Sequence, residues 1–253
     1  MRERDLELLK DYGIGIKEFD DGQLKEILKG IRFKLPKEQI QVYAKPEFNA
    51  FQMQVIREGF MSGLTIEQIQ VYTKSEFDWE QMHEIREGFM CGLPIEKVQI
   101  YAKSEFDQEQ MFQIREGFMS GLTMDQVLTY AKPEFDDDQM CEIRDGFLQG
   151  LTMEQVQVYT KPEFSWEQMY EIREGFIHGL TMGKIKLYAN PCFDNKQMYQ
   201  IRKGFSYGLT LEQIKAYTNP EFSSLQMGKM REGFSLGLGI DQVNKLFVSD
   251  VER

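Results

Sequence analysis

The chain has 253 residues, of which 42% are hydrophobic and 28% charged, and its formal net charge at pH 7 is −11. This acidic balance disfavours non-specific binding to nucleic acid, which needs a basic surface, and it favours a basic partner or simply a solvated outer face. No run approaches the roughly 18 apolar residues of a membrane-spanning helix, so an integral membrane protein is not expected.

An arginine returns every 29 residues, and a phenylalanine keeps the same period. The arginines are Arg57, Arg86, Arg115, Arg144, Arg173, Arg202 and Arg231. The phenylalanines, taken as the first residue of each repeat, are Phe19, Phe48, Phe77, Phe106, Phe135, Phe164, Phe193 and Phe222. A period of this length is typical of stacked helical repeats. The sequence therefore predicts an all-α fold, a right-handed α-solenoid of about eight 29-residue helix-turn-helix repeats forming one domain over 19–248.

The two ends of the chain depart from the pattern, as terminal repeats of a stacked array do. Residues 1–18 are predicted to form an N-terminal cap half-repeat whose short helix contains Leu6, Leu8 and Leu9. In the first full repeat, Leu28 stands in the arginine position. Residues 249–253 are predicted to form a C-terminal tail.

The repeat at 77–105 shows how the first helix of each repeat is specified. Asp78 is predicted to cap the helix, and Gln81, three residues later, completes a capping box. One face of this helix is apolar, with Met82, Ile85 and Phe89. Gly92 is predicted to end it in a left-handed conformation.

The second helix is predicted to begin after Pro94, or after a threonine such as Thr65 in most other repeats. The sequence Lys-Pro-Glu-Phe, found at 45–48, is expected to end it because proline cannot continue a helix. The two helices are expected to have about 12 and about 9 residues. Glycines such as Gly88 within the first helix indicate close approach of a neighbouring helix, and tyrosines such as Tyr101 are expected in the core with a tethered hydroxyl at its edge.

The arginines lie within the apolar arc of the first helix and therefore need partners. The predicted partner is the glutamate that precedes the repeat phenylalanine, which is Glu47, Glu76, Glu105, Glu134, Glu163 or Glu221. We interpret the arginines as a structural ladder. Anion binding by unpaired arginines is the alternative, and the break in the glutamate series at Cys192 is where a free arginine is expected.

Positions that differ between repeats are better candidates for ligand recognition than the recurring positions, which are expected to form the scaffold. On the first helices these positions carry aromatic side chains, histidine and methionine, which are typical interface anchors. The candidate partner-binding residues are Trp79, His83, Phe112, Trp166, Tyr170 and Tyr199. Packing between consecutive repeats is the alternative interpretation of the same residues.

Catalysis has little support in the sequence. The two histidines, His83 and His178, lie three repeats apart, and no common catalytic or phosphate-binding motif occurs. We therefore expect no catalytic residue, metal site or cofactor.

The helical-hairpin plan resembles the architecture of the tetratricopeptide and Sel1-like families, although the period and the motif differ from the tetratricopeptide pattern. The sequence Tyr-Ala-Lys-Pro-Glu-Phe-Asp at 130–136, followed by Gln-Met-x-x-Ile-Arg-x-Gly-Phe, is similar to that of repeat proteins of gut bacteria, some of them on mobile elements. This resemblance implies a bacterial cytosolic protein and carries no functional residues with it.

The sequence thus favours a non-catalytic scaffold that binds an unidentified protein or peptide, without direct binding to nucleic acid or membrane. The alternative is an acidic inhibitor that mimics nucleic acid against a nucleic-acid-handling enzyme of host defence. A charged N-terminus without an apolar signal core, and three cysteines without a pairing pattern, predict a cytoplasmic location.

Overall fold

The computed structural model of the chain describes residues 3–247, so the predicted tail at 249–253 lies outside the described residues. The chain divides into two compact units, Met1–Pro133 and Glu134–Arg253. All regular structure within 3–247 is helical. Within each unit, consecutive helix pairs pack in a regular, solenoid-like chain, which confirms the predicted all-α repeat solenoid. Each helix in this range is too short or too polar to cross a membrane.

Every full repeat contributes a first and a second helix, and the predicted N-terminal helix precedes them as α1 (Glu3–Asp11), followed by a 3-10 turn at Ile16–Glu18. The first helices are α2 (Asp21–Arg32), α4 (Ala50–Met61), α6 (Trp79–Met90), α8 (Gln108–Met119), α10 (Asp137–Leu148), α12 (Trp166–Ile177), α14 (Asn195–Ser206) and α16 (Ser224–Ser235). The second helices are α3 (Lys37–Tyr43), α5 (Ile66–Tyr72), α7 (Ile95–Tyr101), α9 (Met124–Tyr130), α11 (Met153–Val156), α13 (Met182–Ile185), α15 (Leu211–Tyr217) and α17 (Ile240–Phe247).

The predicted signals at both ends of the first helix are confirmed. In α6 the Asp78 side chain accepts a hydrogen bond from the Gln81 backbone N–H, and the Gln81 side chain accepts one from the Asp78 N–H. At the other end Gly92 has a φ of +83°, in the left-handed region. The Gly92 N–H donates to the Phe89 carbonyl and the Leu93 N–H to the Gly88 carbonyl, the two bonds of a Schellman motif.

The second helices are shorter than predicted, and proline is not what ends them. Most have 7 residues and stop at the tyrosine, as α7 does at Tyr101. Ala102 then leaves helical geometry with a ψ of 64°, and the Lys103 N–H donates to the Tyr101 carbonyl in a tight turn. Here Ser104 stands where other repeats carry proline, so the turn itself terminates the helix.

The core of each repeat consists of the recurring apolar residues. Met82, Ile85, Val98 and Tyr101 have no exposed surface, and Phe106 is 1% exposed. Removing these side chains from water is the main favourable contribution to stacking. Burial also raises the pKa of the Tyr101 hydroxyl above its ordinary value.

The glycine within each first helix makes room for the tyrosine of the same repeat. A Cβ placed on Gly88 would overlap the Tyr101 hydroxyl, and the same overlap occurs between Gly59 and Tyr72. The predicted close approach is therefore a tyrosine side chain from the second helix. The predicted tether of the hydroxyl is present in only some repeats: Tyr188 Oη donates to the Glu171 carbonyl at 3.3 Å, whereas Tyr101 Oη is buried and has no hydrogen-bond partner among the described residues.

A glutamine joins consecutive repeats. Besides its capping role, Gln81 donates from Nε2 to the carbonyl oxygen of Phe106, the first residue of the next repeat, at 2.6 Å. Gln52 makes the same 2.6 Å bond to Phe77 in the first unit, as Gln168 does to Phe193 in the second. Both ends of the amide are thus used, one within the repeat and one between repeats.

We predict that Gly88→Ala destabilises the fold by about 1–3 kcal/mol, because its methyl group overlaps the Tyr101 hydroxyl. Tyr101→Phe removes that hydroxyl and should restore much of the loss when the two changes are combined. Urea unfolding of both single variants and the double variant measures this coupling. Gly183→Ala is the control, since no atom lies within 4 Å of its Cβ position, and it should be neutral or stabilising. Equal losses from Gly88→Ala with and without the Tyr101 hydroxyl would contradict this packing.

Candidate partner-binding surface

Arginines of the ladder pair with a residue on the preceding first helix, not with the predicted glutamates, as is seen for Arg57, Arg86, Arg115, Arg173, Arg202 and Arg231. Arg57 Nε lies 3.1 Å from Glu26 Oε2, and Arg115 Nε lies 3.1 Å from Glu84 Oε2. In the second unit Arg173 and Arg202 make the same contact with Glu142 and Glu171, at 2.8 and 2.7 Å. In each of these pairs the carboxylate lies 31 residues before the arginine.

The predicted partners face solvent instead. The glutamates Glu47, Glu76, Glu105, Glu134, Glu163 and Glu221 are all exposed. Their ion pairs are long and local, as with Lys74 and Glu76 at 3.9 Å. That prediction was wrong because the turn before the repeat phenylalanine carries its glutamate away from the first helices.

The break in the glutamate series at Cys192 does not free an arginine. Arg202, in the repeat that follows Cys192, is buried and paired with Glu171. Burial alone would lower the pKa of Arg202, but the hydrogen bond and charge of Glu171 outweigh it and raise that pKa. Burial in turn raises the pKa of Glu171, against the opposing effect of Arg202.

The partner of the arginine differs where the residue 31 positions before it is not glutamate. Val55 occupies the glutamate position before Arg86, and Arg86 Nη1 instead lies 2.8 Å from Glu58 and Nη2 lies 3.0 Å from Glu87. Before Arg231 the same position is Gln200, whose amide oxygen accepts from Arg231 Nε at 3.0 Å. The arrangement therefore accepts a neutral partner while keeping the guanidinium hydrogen-bonded.

The candidate partner-binding residues lie on the outward side of the first helices, and each side chain is about two-fifths exposed. We call them the outer stripe: Trp79, His83 and Phe112 in the first unit, and Trp166, Tyr170 and Tyr199 in the second. Their exposed fractions lie between 38% for the two tyrosines and 42% for Trp166. Methionines flank the first three, with Met61, Met90 and Met119 each more than 40% exposed.

One side of several rings is occupied by the arginine one turn further along the same helix. The Arg115 guanidinium lies 5.1 Å from the centre of the Phe112 ring, and Arg173 lies 5.2 Å from that of Tyr170. Such contacts are favourable cation–π pairs. The paired arginine thus packs against the ring, which remains about two-fifths exposed.

Sequence reasoning missed further apolar residues of this surface. Phe51 is 62% exposed and lies 5.9 Å from Trp79, ring centre to ring centre. Leu225 is 68% exposed and lines, with Tyr199 and Lys196, a groove of about 370 Å³ between α14 and α16. Phe51 and Leu225 stand where four other repeats carry an acidic residue, a signal that the sequence did contain.

The described residues contain no group of side chains suited to holding a metal ion. Within 3–247 no three histidine, cysteine or acidic side chains are placed to hold a metal ion. His83 lies 3.7 Å from both Glu84 and Glu87, and His178 lies beside the Glu174 carbonyl oxygen.

Comparison of the chain with protein-family models, with curated proteins and with solved structures gave no match. No relative therefore supplies a site or an activity. The function is therefore inferred from the surface residues of the chain itself.

We predict that Glu84→Ala lowers the free energy of unfolding by about 2–4 kcal/mol, because it leaves the mostly buried Arg115 guanidinium without its partner on the preceding helix. Glu84→Gln should cost less, since Gln200 already serves Arg231 in this way. Urea unfolding is the measurement. Glu105→Ala, at the originally predicted partner, is the control and should change stability by no more than about 0.5 kcal/mol. A larger loss for Glu105→Ala than for Glu84→Ala would contradict the observed ladder.

Proposed function

We propose that the chain is a non-catalytic scaffold that binds a protein or peptide through the outer stripe. The observation that carries the proposal is the contrast between two kinds of position on the first helices. Residues that recur in the repeats, such as Met82 and Ile85, are fully buried, whereas the variable stripe residues, such as Trp79 and Phe112, are 40% exposed. Exposed aromatic and methionine side chains are costly in water and are the usual anchors of protein interfaces.

The charge around the first unit's part of the stripe favours a basic partner. Glu80 and Glu87 lie on the same helix as Trp79, and Glu109 and Glu116 on the same helix as Phe112. The nearby arginines are already paired with carboxylates. A peptide with apolar side chains for the rings and lysine or arginine for the carboxylates fits this surface.

A cytoplasmic location is part of the proposal. Cys91 and Cys192 are exposed free thiols, which are typical of proteins kept in a reducing compartment. The resemblance to bacterial repeat proteins supports the same location.

Selection of peptides from a random display library on the immobilised full chain tests the proposal. The chain has two tryptophans, Trp79 and Trp166, and both belong to the stripe. We expect selected peptides to change tryptophan fluorescence, and Trp79→Phe or Trp166→Phe identifies which unit responds. Replacement of a contacting ring by alanine should weaken binding about tenfold or more.

Leu128→Ala is the matched control, because Leu128 is 43% exposed but lies on the second helix α9. Binding that is lost equally with Leu128→Ala and with the ring substitutions would contradict the proposal. Selection of purely lysine- and arginine-rich peptides, bound with steep salt dependence and unaffected by ring removal, would favour the acidic mimic instead.

A further inference from the structure

The outer surface of the second unit changes charge between two adjacent first helices. On α12 two partly exposed positions carry Glu167 and Glu174, the latter also 3.4 Å from Arg173. On α14, 29 residues later, the same two positions carry the exposed Lys196 and the partly exposed Lys203. The helix α14 contains no carboxylate at all. Adjacent helices with opposite charge at matching positions form a surface with a negative and a positive half.

An aromatic pair lies between these charges. Tyr170 and Tyr199 occupy the same position on α12 and α14, and each is 38% exposed. Each tyrosine follows the first charged position by three residues and precedes the second by four, so all three lie on one side of the helix. The two first helices on either side of this pair carry small residues at the same position, Cys141 on α10 and Gly228 on α16, which leave room beside the tyrosines.

This pattern is complementary to itself under a twofold rotation. The helices α12 and α14 pack side by side, and they run in the same direction because they are equivalent parts of consecutive repeats. A 180° rotation about an axis that is parallel to them, lies in front of the exposed surface and faces the midline between the two helices lays α12 of one copy against α14 of the other. Glu167 then faces the second copy's Lys196, and Glu174 faces the second copy's Lys203. The same rotation stacks Tyr170 against the second copy's Tyr199.

We propose that the α12–α14 surface binds a second copy of this chain in a twofold symmetric dimer. A twofold interface requires a surface that is complementary to itself, and this one satisfies three contacts with a single operation. The proposal rests on the proposed function, since it names the occupant of the second unit's part of the outer stripe. The first unit's part stays open for another partner, because Glu80, Glu87, Glu109 and Glu116 have one sign and are not self-complementary.

The contact is centred on two helices and is therefore weak. On the flanking helices, the position of Glu174 and Lys203 is occupied by Asp145 on α10 and Glu232 on α16. The rotation would bring these two like charges together. Complementarity thus ends at α12 and α14. An interface of this width is expected at the small end of specific protein interfaces, with a dimer that dissociates in the micromolar range.

Sedimentation equilibrium of the full chain, from micromolar to near-millimolar concentration, tests the proposal with two charge reversals. Lys196→Glu sets a carboxylate opposite Glu167 of the other copy, and Glu167→Lys sets an ammonium group opposite Lys196 of the other copy. Each substitution places like charges at two points of a twofold dimer, so each variant alone should self-associate at least about tenfold more weakly. An equimolar mixture of the two variants should form a one-to-one heterodimer, and the double variant Glu167→Lys/Lys196→Glu should dimerise as the original chain does.

Glu109→Lys is the control, since it reverses the charge at the same repeat position in the first unit and should leave self-association unchanged. Recovery in the mixture excludes loss of folding as the cause of dissociation. A chain that stays monomeric throughout, or a mixture that associates no better than its components, would overturn the dimer. Peptide binding that still depends on Trp79 would then support the proposed function, and only the proposed dimer would be wrong.

Discussion

Within each unit, a glutamine side chain links the start of one first helix to the start of the next. In Gln81, Oε1 satisfies the backbone N–H of Asp78, while Nε2 donates to the Phe106 carbonyl at 2.6 Å. Both are backbone groups at helix starts, where regular helical bonding leaves donors without partners and where a buried carbonyl is costly if unpaired. Without the following repeat, the Nε2 group of this glutamine would lose its acceptor, and the phenylalanine carbonyl would lose its donor. The bond therefore couples the folding of a repeat to the presence of its neighbour.

The first helices are consequently held in register, and the other inter-repeat contacts depend on that register. The pair Arg115–Glu84 spans 31 residues and forms only if consecutive first helices lie side by side at a fixed offset. Once the arginine is fixed there, its guanidinium supports the Phe112 ring, which remains 40% exposed. The surface proposed to bind a partner is thus the outer layer of a stack whose inner layers are the glutamine bond and the arginine pair.

The repeat pattern made much of this fold predictable. Asp78, Gln81 and Gly92 each have a local role, which a single repeat's sequence reveals through helix-capping rules. The glutamine's second role was also indicated: this position is glutamine in every full repeat, although glutamate would complete a capping box equally well. In the second helices the matching position tolerates lysine, as at Lys97, where the helix forms without a side-chain cap.

The arginine partners could not be read in the same way. A helical wheel shows that Arg115 points into the apolar arc, but it does not give the offset between one first helix and the next, which is what brings Glu84 to it. The Gly88–Tyr101 contact has the same origin, since it depends on how the second helix crosses the first. Exposure of Trp79 and Phe112 depends likewise on which side of the first helix the neighbouring repeats cover.

The measurement that most directly tests the dependence of the stack on the glutamine bond is the unfolding free energy of Gln81→Glu against that of Gln68→Glu. Glutamate keeps the capping role at both sites, because its oxygen still accepts from the N-cap N–H. At residue 81 it also removes the donor to Phe106 and sets a carboxylate against a buried carbonyl. We expect a loss of about 2–4 kcal/mol at neutral pH for Gln81→Glu and less than about 0.5 kcal/mol for Gln68→Glu. Equal, small losses at both sites would show that the stack does not depend on this bond.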